Sequence, residues 1–334
     1  MKILRLLGNA RVELAATPKP DPTPGTAVLK VKATALCGSE LPPFKAADAP
    51  SGGMFNPGHE VAGIVEAAPP DCDLQPGMRA GARVVLGCGT CAFCRQGYDQ
   101  ACAVREFYPN AHAEYFRIPA HGLLPIPEGV DWPAAPILTG DGLGLPARAA
   151  RRLGDTAGQK VLVLGLGPVG LSAVLVQSFK GAEVAGADLV PYRLELSQKL
   201  GAARTVNVQT GDLKQEMQDW TDGRGVDVVI LAVARQDSLL AAVDVLRQQG
   251  RLLQLAELHE ATIDPSAAFI RKELTMTGAW YYGREDWQTM LALHEAGLPY
   301  KDLITHVFPF EQAQKAYDTF ASGQSGKVVL TYEA

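Results

Sequence analysis

The stretch Lys160-Val161-Leu162-Val163-Leu164-Gly165-Leu166-Gly167-Pro168-Val169-Gly170 decides the fold of this chain. Lys160–Leu164 is apolar after its first residue and shows no polar alternation, so it reads as a strand buried on both faces. The glycines that follow have the spacing G-x-G-x-x-G. The first permits a tight turn, the second lets backbone approach a pyrophosphate, and the third lets the next helix pack on the strand. That helix, expected from about Pro168 to Lys180, offers unpaired N–H groups to an anion at its start. Asp188 stands 18 positions after Gly170, at the end of the next expected strand, Glu183–Asp188. A carboxylate there can accept from both adenosine ribose hydroxyls and repels a 2′-phosphate. The sequence therefore predicts a dinucleotide site at Gly165, Gly167, Pro168, Val169, Gly170 and Asp188, with NAD favoured over NADP. Arg193 works against that preference, because a nearby Arg can receive a 2′-phosphate.

Outward from this stretch the texture is regular. Helices are expected at Pro191–Leu200, Leu213–Trp220 and Ser238–Gln248. Strands are expected at Thr205–Val208, Val226–Leu231, Arg251–Leu255 and Leu274–Trp280. Such alternation argues a doubly wound parallel α/β sheet of the Rossmann type. Residues Val161 to Phe179 carry no charge and could pass for a membrane span. Gly165, Gly167, Pro168 and Gly170 interrupt that run, so a strand, a turn and a buried helix account for it better. The first 140 or so residues are different: rich in Pro and Gly, with short β runs at Ala27–Val31, Val61–Val65 and Arg83–Leu86, they read as an irregular, mostly β domain. Two amphipathic helices (about Glu285–Ala296 and Phe310–Ser322) and a β run, Lys327–Tyr332, follow the parallel sheet.

The chain has 334 residues, 47% hydrophobic and 20% charged, with a formal net charge of −5. That suits a globular protein with two domains and gives no electrostatic footprint for nucleic acid. Met1-Lys2-Ile3-Leu4-Arg5 opens no apolar leader, so neither export nor a membrane anchor is expected, and a cytoplasmic, reducing location fits the cysteines. Four of the six cysteines, Cys88, Cys91, Cys94 and Cys102, fall in one loop with the spacing C-x2-C-x2-C-x7-C. Bridges between such close neighbours would be strained. A ferredoxin-type cluster would have a shorter last interval and a proline after it. Four thiolates make a closed tetrahedral shell for zinc, a structural ion with no open position for chemistry.

Cys37-Gly38-Ser39-Glu40 and Gly58-His59-Glu60 are unremarkable singly. With the thiolate loop, the fingerprint, Ala113-Glu114-Tyr115, Gly225-Val226-Asp227-Val228-Val229 and Gly326-Lys327-Val328-Val329-Leu330, they resemble the zinc-containing medium-chain alcohol dehydrogenases nearly end to end. The resemblance implies a GroES-like catalytic domain from residues 1–142 and 283–334, carrying the zinc loop 88–102, and an NAD-binding domain at 143–282. It implies one catalytic and one structural zinc per chain. Cys37 and His59 would bind the catalytic ion. The third ligand of relatives stands 24 residues before the fingerprint, here at Asp141, which could otherwise be a turn residue between two glycines. Glu60 would enter or leave the zinc shell, Glu40 would orient His59, Ser39 would accept the alcohol proton, and Lys327 would lie near the pyrophosphate. The histidine through which some members relay that proton is replaced by Pro42. Phe44, Phe107, Tyr108 and Trp280 would line the substrate pocket. The implied activity is hydride transfer between a primary or secondary alcohol, or a polyol, and NAD, in a homodimer or homotetramer paired through the strand at Leu274–Trp280. An NADPH-preferring ketone or aldehyde reductase and a non-catalytic nucleotide-binding member are the alternatives.

Overall fold

In the computed structural model, which describes residues 1–48 and 55–333, the fingerprint stretch lies at the centre of a six-stranded parallel sheet. The strand Lys160–Leu164 runs between Glu183–Asp188 and Val226–Leu231, with Arg204–Asn207 beyond the first and Leu246–Gln254 and Thr275–Gly278 beyond the second. Val226–Leu231 is buried along its whole length, as expected of a strand covered on both faces. The chain reverses direction of growth at Lys160–Leu164, the switch point at which such sheets bind nucleotides. Gly165 has φ +92°, open to glycine and unfavourable to other residues. A Cβ on Gly170 would lie 1.9 Å from the Gly165 carbonyl oxygen, so the third glycine is required by close packing. No side chain caps the helix Pro168–Phe179, and Pro168 opens it.

The structure divides into two compact units: Met1–Gly144 with Tyr281–Ala334, and Leu145–Trp280. The first is a GroES-like domain built on a seven-stranded, mostly antiparallel sheet. Its spine runs Ile304–Pro309, Lys327–Thr331, Thr26–Ala35, Glu60–Ala67, Arg79–Ala82 and Leu123–Pro125, with Tyr115–Pro119 also paired to Thr26–Ala35. Ala35 pairs with Glu60 on one side and with Val329 on the other. That register brings the ends of three strands together, and with them Cys37, Glu60 and Lys327.

Two of the boundaries that differ from expectation have a clear local cause. The run Arg83–Leu86 is not one strand: Arg79–Ala82 stays in the large sheet, whereas Val85–Leu86 pairs with Glu106–Phe107. Between them the Arg83 N–H is taken by Gly122 and the Val84 N–H by the Tyr281 hydroxyl. The expected helix to Gln248 ends at Val245, because Leu246 pairs with Val226 and Gln249 adopts φ +58°. Sheet pairing overrides the helical preference of Leu246-Arg247-Gln248. Among the described residues no helix is long and apolar enough to cross a membrane.

Candidate functional site

Cys37 follows the end of Thr26–Ala35 and precedes a turn of 3-10 helix, Gly38–Glu40. His59 immediately precedes Glu60–Ala67, and Asp141 begins the helix Asp141–Leu153. The structure gathers them: one ligand atom from each of Cys37, His59, Glu60 and Asp141 lies within 4.8 Å of the others. His59 Nε2 is 3.4 Å from Asp141 Oδ2. His59 Nδ1 is 2.8 Å from the Pro57 carbonyl, which can only accept, so Nδ1 carries a proton and Nε2 is the ring nitrogen left to face the cluster.

The electrostatics favour a cation among these groups. Burial works against a charged imidazole, yet Cys37 and Asp141 raise the pKa of His59 well above the usual value. Burial pushes Glu60 up to about 7, against the pull of Lys327. Two carboxylate oxygens, Glu60 Oε2 and Asp141 Oδ1, are buried without a hydrogen-bond partner. Buried orphan oxygens cost about 1–3 kcal/mol or more each, and a divalent ion would satisfy both. A thiolate, an imidazole and a carboxylate are also a donor set that zinc accepts, so the residues fit the metal.

Lys327 is only 1% exposed, and its ammonium is 2.5 Å from Glu60 Oε1 and 3.5 Å from the Leu36 carbonyl. Within its own unit Lys327 neutralises Glu60. Glu40 departs from its expected role. Its Oε1 is 4.0 Å from His59 Nδ1, outside hydrogen-bond range, and accepts from the Cys37 N–H at 3.1 Å instead. Burial pushes the Glu40 carboxyl upward, but His112, His59 and Tyr317 hold it below the ordinary value. Phe44 is a core residue packed on Tyr317 with ring centroids 5.1 Å apart. Phe107 is 53% exposed and lies 6.1 Å from the His59 ring, Trp280 is exposed, and Ser39 is exposed on its turn.

In the thiolate loop the four sulfurs of Cys88, Cys91, Cys94 and Cys102 likewise lie within 4.8 Å of one another, and none is in a disulfide. Backbone N–H groups point at them: Cys88 at Cys102 Sγ, 3.4 Å, Cys91 at Cys88 Sγ, 3.4 Å, and Cys94 at Cys91 Sγ, 3.5 Å. Such donors favour thiolates. The loop is fastened by Arg83, whose Nη1 is 2.5 Å from Asp99 Oδ2, and by Arg284, which donates to the Cys94 carbonyl at 2.9 Å.

In the other unit Asp188 is buried at its strand end. Its Oδ2 accepts from the Leu166 N–H at 2.7 Å, and Oδ1 from those of Leu189 and Val190 at 2.8 and 2.9 Å. The carboxylate is thus tied to the glycine turn, with one acceptor position on Oδ2 left for a ribose. Arg193 Nη1 is 3.7 Å from Asp188 Oδ2. The sequence offers no local sign of His112 and Tyr317, which meet Glu40 from distant parts of the chain, or of Thr34, which bonds the far side of the His112 ring.

Known proteins resemble this chain over its whole length. A model of the alcohol dehydrogenase GroES-like domain matches residues 23–128, and one of zinc-binding dehydrogenases matches residues 168–296. The chain is 32% identical over 336 residues to an L-threonine 3-dehydrogenase of Alteromonas mediterranea, covering 96% of each chain. It is 32% identical to the protein of that name from Shewanella putrefaciens, covering 100% of both. Among solved structures, the alcohol dehydrogenase TADH from Thermus sp. ATN1 superposes with a TM-score of 0.89 at 26% identity, covering 100% of each chain.

Proposed function

The chain belongs to the medium-chain, zinc-dependent dehydrogenase family, and from that premise we propose that it transfers hydride between an alcohol and NAD, with Cys37, His59 and Asp141 as the protein ligands of a catalytic zinc. The observation that carries the reading is the convergence of Cys37, His59, Glu60 and Asp141 on one point with two unpartnered buried oxygens. Zinc held there supplies Lewis acidity toward a substrate oxygen, lowering the pKa of an alcohol. The second zinc belongs to Cys88, Cys91, Cys94 and Cys102, where it braces a loop.

The remaining roles fall to the chain's own side chains. Ser39, exposed on the turn after Cys37, takes the alcohol proton and hands it to solvent, since Pro42 can relay nothing. Glu60, paired with Lys327, offers its free Oε2 as an exchangeable donor beside the three ligands. Asp188 receives the adenosine ribose, and the uncapped start of Pro168–Phe179 receives the pyrophosphate. The substrate is a primary or secondary alcohol or a polyol. The relatives named L-threonine 3-dehydrogenase make a secondary alcohol beside an amine the first compound to try. Arg193, within reach of Asp188, makes NADP the control cofactor. The exposed edge Thr275–Gly278 is the face through which a dimer or tetramer would form.

Initial rates with NAD and NADP across a panel of alcohols, polyols and 2-amino-3-hydroxy acids test this reading. Turnover with NAD, lost in Asp141→Ala, supports it. A zinc-replete protein that oxidises no alcohol and reduces no carbonyl contradicts it.

A further inference from the structure

A second buried cluster lies behind the candidate ligands, and no role assigned above uses it. His112 is fully buried, with Nε2 3.1 Å from Glu40 Oε2 and Nδ1 2.8 Å from Thr34 Oγ1. Thr34 Oγ1 is in turn 3.1 Å from the Tyr332 hydroxyl, and the Tyr317 hydroxyl donates to Glu40 Oε2. The other Glu40 oxygen holds the Cys37 N–H. On its opposite side the His112 ring rests on Gly58, where a Cβ would come within 2.6 Å of Cγ and Cδ2. Gly58 is the residue before His59.

The backbone beneath the ring is fixed as tightly. Asn56 donates to the His112 carbonyl at 2.9 Å and accepts from the N–H of Gly58 at 3.1 Å, and the Ala111 N–H donates to the Gly58 carbonyl at 3.0 Å. A carboxylate only accepts, so Nε2 carries a proton toward Glu40; with a neutral ring, Nδ1 accepts from Thr34 and Thr34 accepts from Tyr332. Every donor in the chain points toward Glu40. The connection therefore runs from the Cys37 backbone through Glu40 and the His112 ring to the backbone beside His59.

We propose that His112 is a positioning residue for the catalytic zinc site, locking the Cys37 turn to the His59 segment so that the two ligands are held at the spacing the metal needs. This rests on the reading of Cys37, His59 and Asp141 as ligands. His112 itself touches neither metal nor substrate. Its effect is on how much of the metal's binding energy is lost in drawing two separate segments together. Polar groups that steady metal ligands from behind are worth about 10–100-fold in affinity.

The experiment compares wild type with His112→Phe, which keeps a ring against Gly58 but removes both nitrogens, and with His112→Gln, which restores a donor toward Glu40. Zinc per chain is measured after equilibration with a graded series of chelator concentrations, beside the melting temperature. Wild type is expected to hold two zinc ions. In His112→Phe the more labile ion should bind roughly 10–100-fold more weakly, the thiolate-bound ion should be unchanged, and His112→Gln should recover part of the loss. A folded His112→Phe chain that melts lower but keeps the affinity of both ions overturns the proposal and leaves the ligand reading standing. A wild-type chain that holds only one zinc, resistant to chelator, overturns the ligand reading and the proposal with it. If His112→Phe fails to fold, Thr34→Val carries the test. Removing the one donor to Nδ1 should weaken the labile ion roughly threefold, and unchanged affinity overturns the proposal.

Discussion

Cys88, Cys91, Cys94 and Cys102 come from one stretch of fifteen residues, whereas Cys37, His59, Glu60 and Asp141 are drawn from three places up to about a hundred residues apart. Both sets lie in the unit built from Met1–Gly144 and Tyr281–Ala334, and both converge to within 4.8 Å. Their supports differ. The thiolate loop needs little beyond its own backbone, whose N–H groups turn toward the sulfurs, and Cys88 is exposed. The mixed cluster exists only because Ala35 pairs with both Glu60 and Val329, because Pro57 fixes one imidazole and because Lys327 neutralises one carboxylate. A closed, local shell braces structure. A distributed shell with a free donor and a polar surround leaves room for a substrate.

Breaking each set should have different consequences. Asp141→Ala should reduce turnover by more than about a hundredfold, beyond the usual effect of an indirect partner. It should remove one zinc while the thiolate zinc and the melting temperature stay nearly unchanged, checked by steady-state rates and metal analysis. Cys94→Ser should do the reverse. It should lose the loop's zinc and several kcal/mol of stability, since structural zinc carries about 10–16 kcal/mol of apparent binding energy, and keep the labile zinc, read by thermal denaturation beside metal analysis. Arg83→Met sharpens the contrast without touching a ligand. It strands Asp99, buried beside it at 2.5 Å, at a cost of about 3 kcal/mol by denaturant titration, at the low end for a broken buried pair because the Arg284 N–H still reaches Asp99 at 3.4 Å. Thr90→Val should matter least. It removes one contact of 3.4 Å to the most exposed sulfur, worth less than about 1 kcal/mol in zinc retention against chelator.

The same contrast explains how much could be read before the fold was known. Lys160–Leu164, Glu183–Asp188 and Val226–Leu231 were legible to the residue, because buried strands are written in largely apolar runs, and so was Leu213–Trp220, whose Leu213, Met217 and Trp220 recur at helical spacing. The thiolate loop was legible because its spacing is local. Cys37, His59 and Asp141 were visible only through resemblance, since no local pattern shows that a turn, a strand start and a helix start will meet. Glu40 was given the wrong neighbour for that reason, and the pairing of Lys327 with Glu60 was not foreseen. Each stands where relatives place a charged group, but its partner within this unit is set by which side chains the register of three strands delivers. His112 was hidden altogether: its partner Glu40 is 72 residues away, and pairing across such a distance leaves no periodic signal.

The central claim is that Cys37, His59 and Asp141 share one metal ion. Crystals of zinc-loaded protein, with diffraction recorded on both sides of the zinc absorption edge, address it directly. Two anomalous peaks per chain are expected, one amid Cys88, Cys91, Cys94 and Cys102 and one bounded by Cys37 Sγ, His59 Nε2 and an Asp141 oxygen. A single peak in the thiolate loop, with Asp141 turned away from His59, would contradict it.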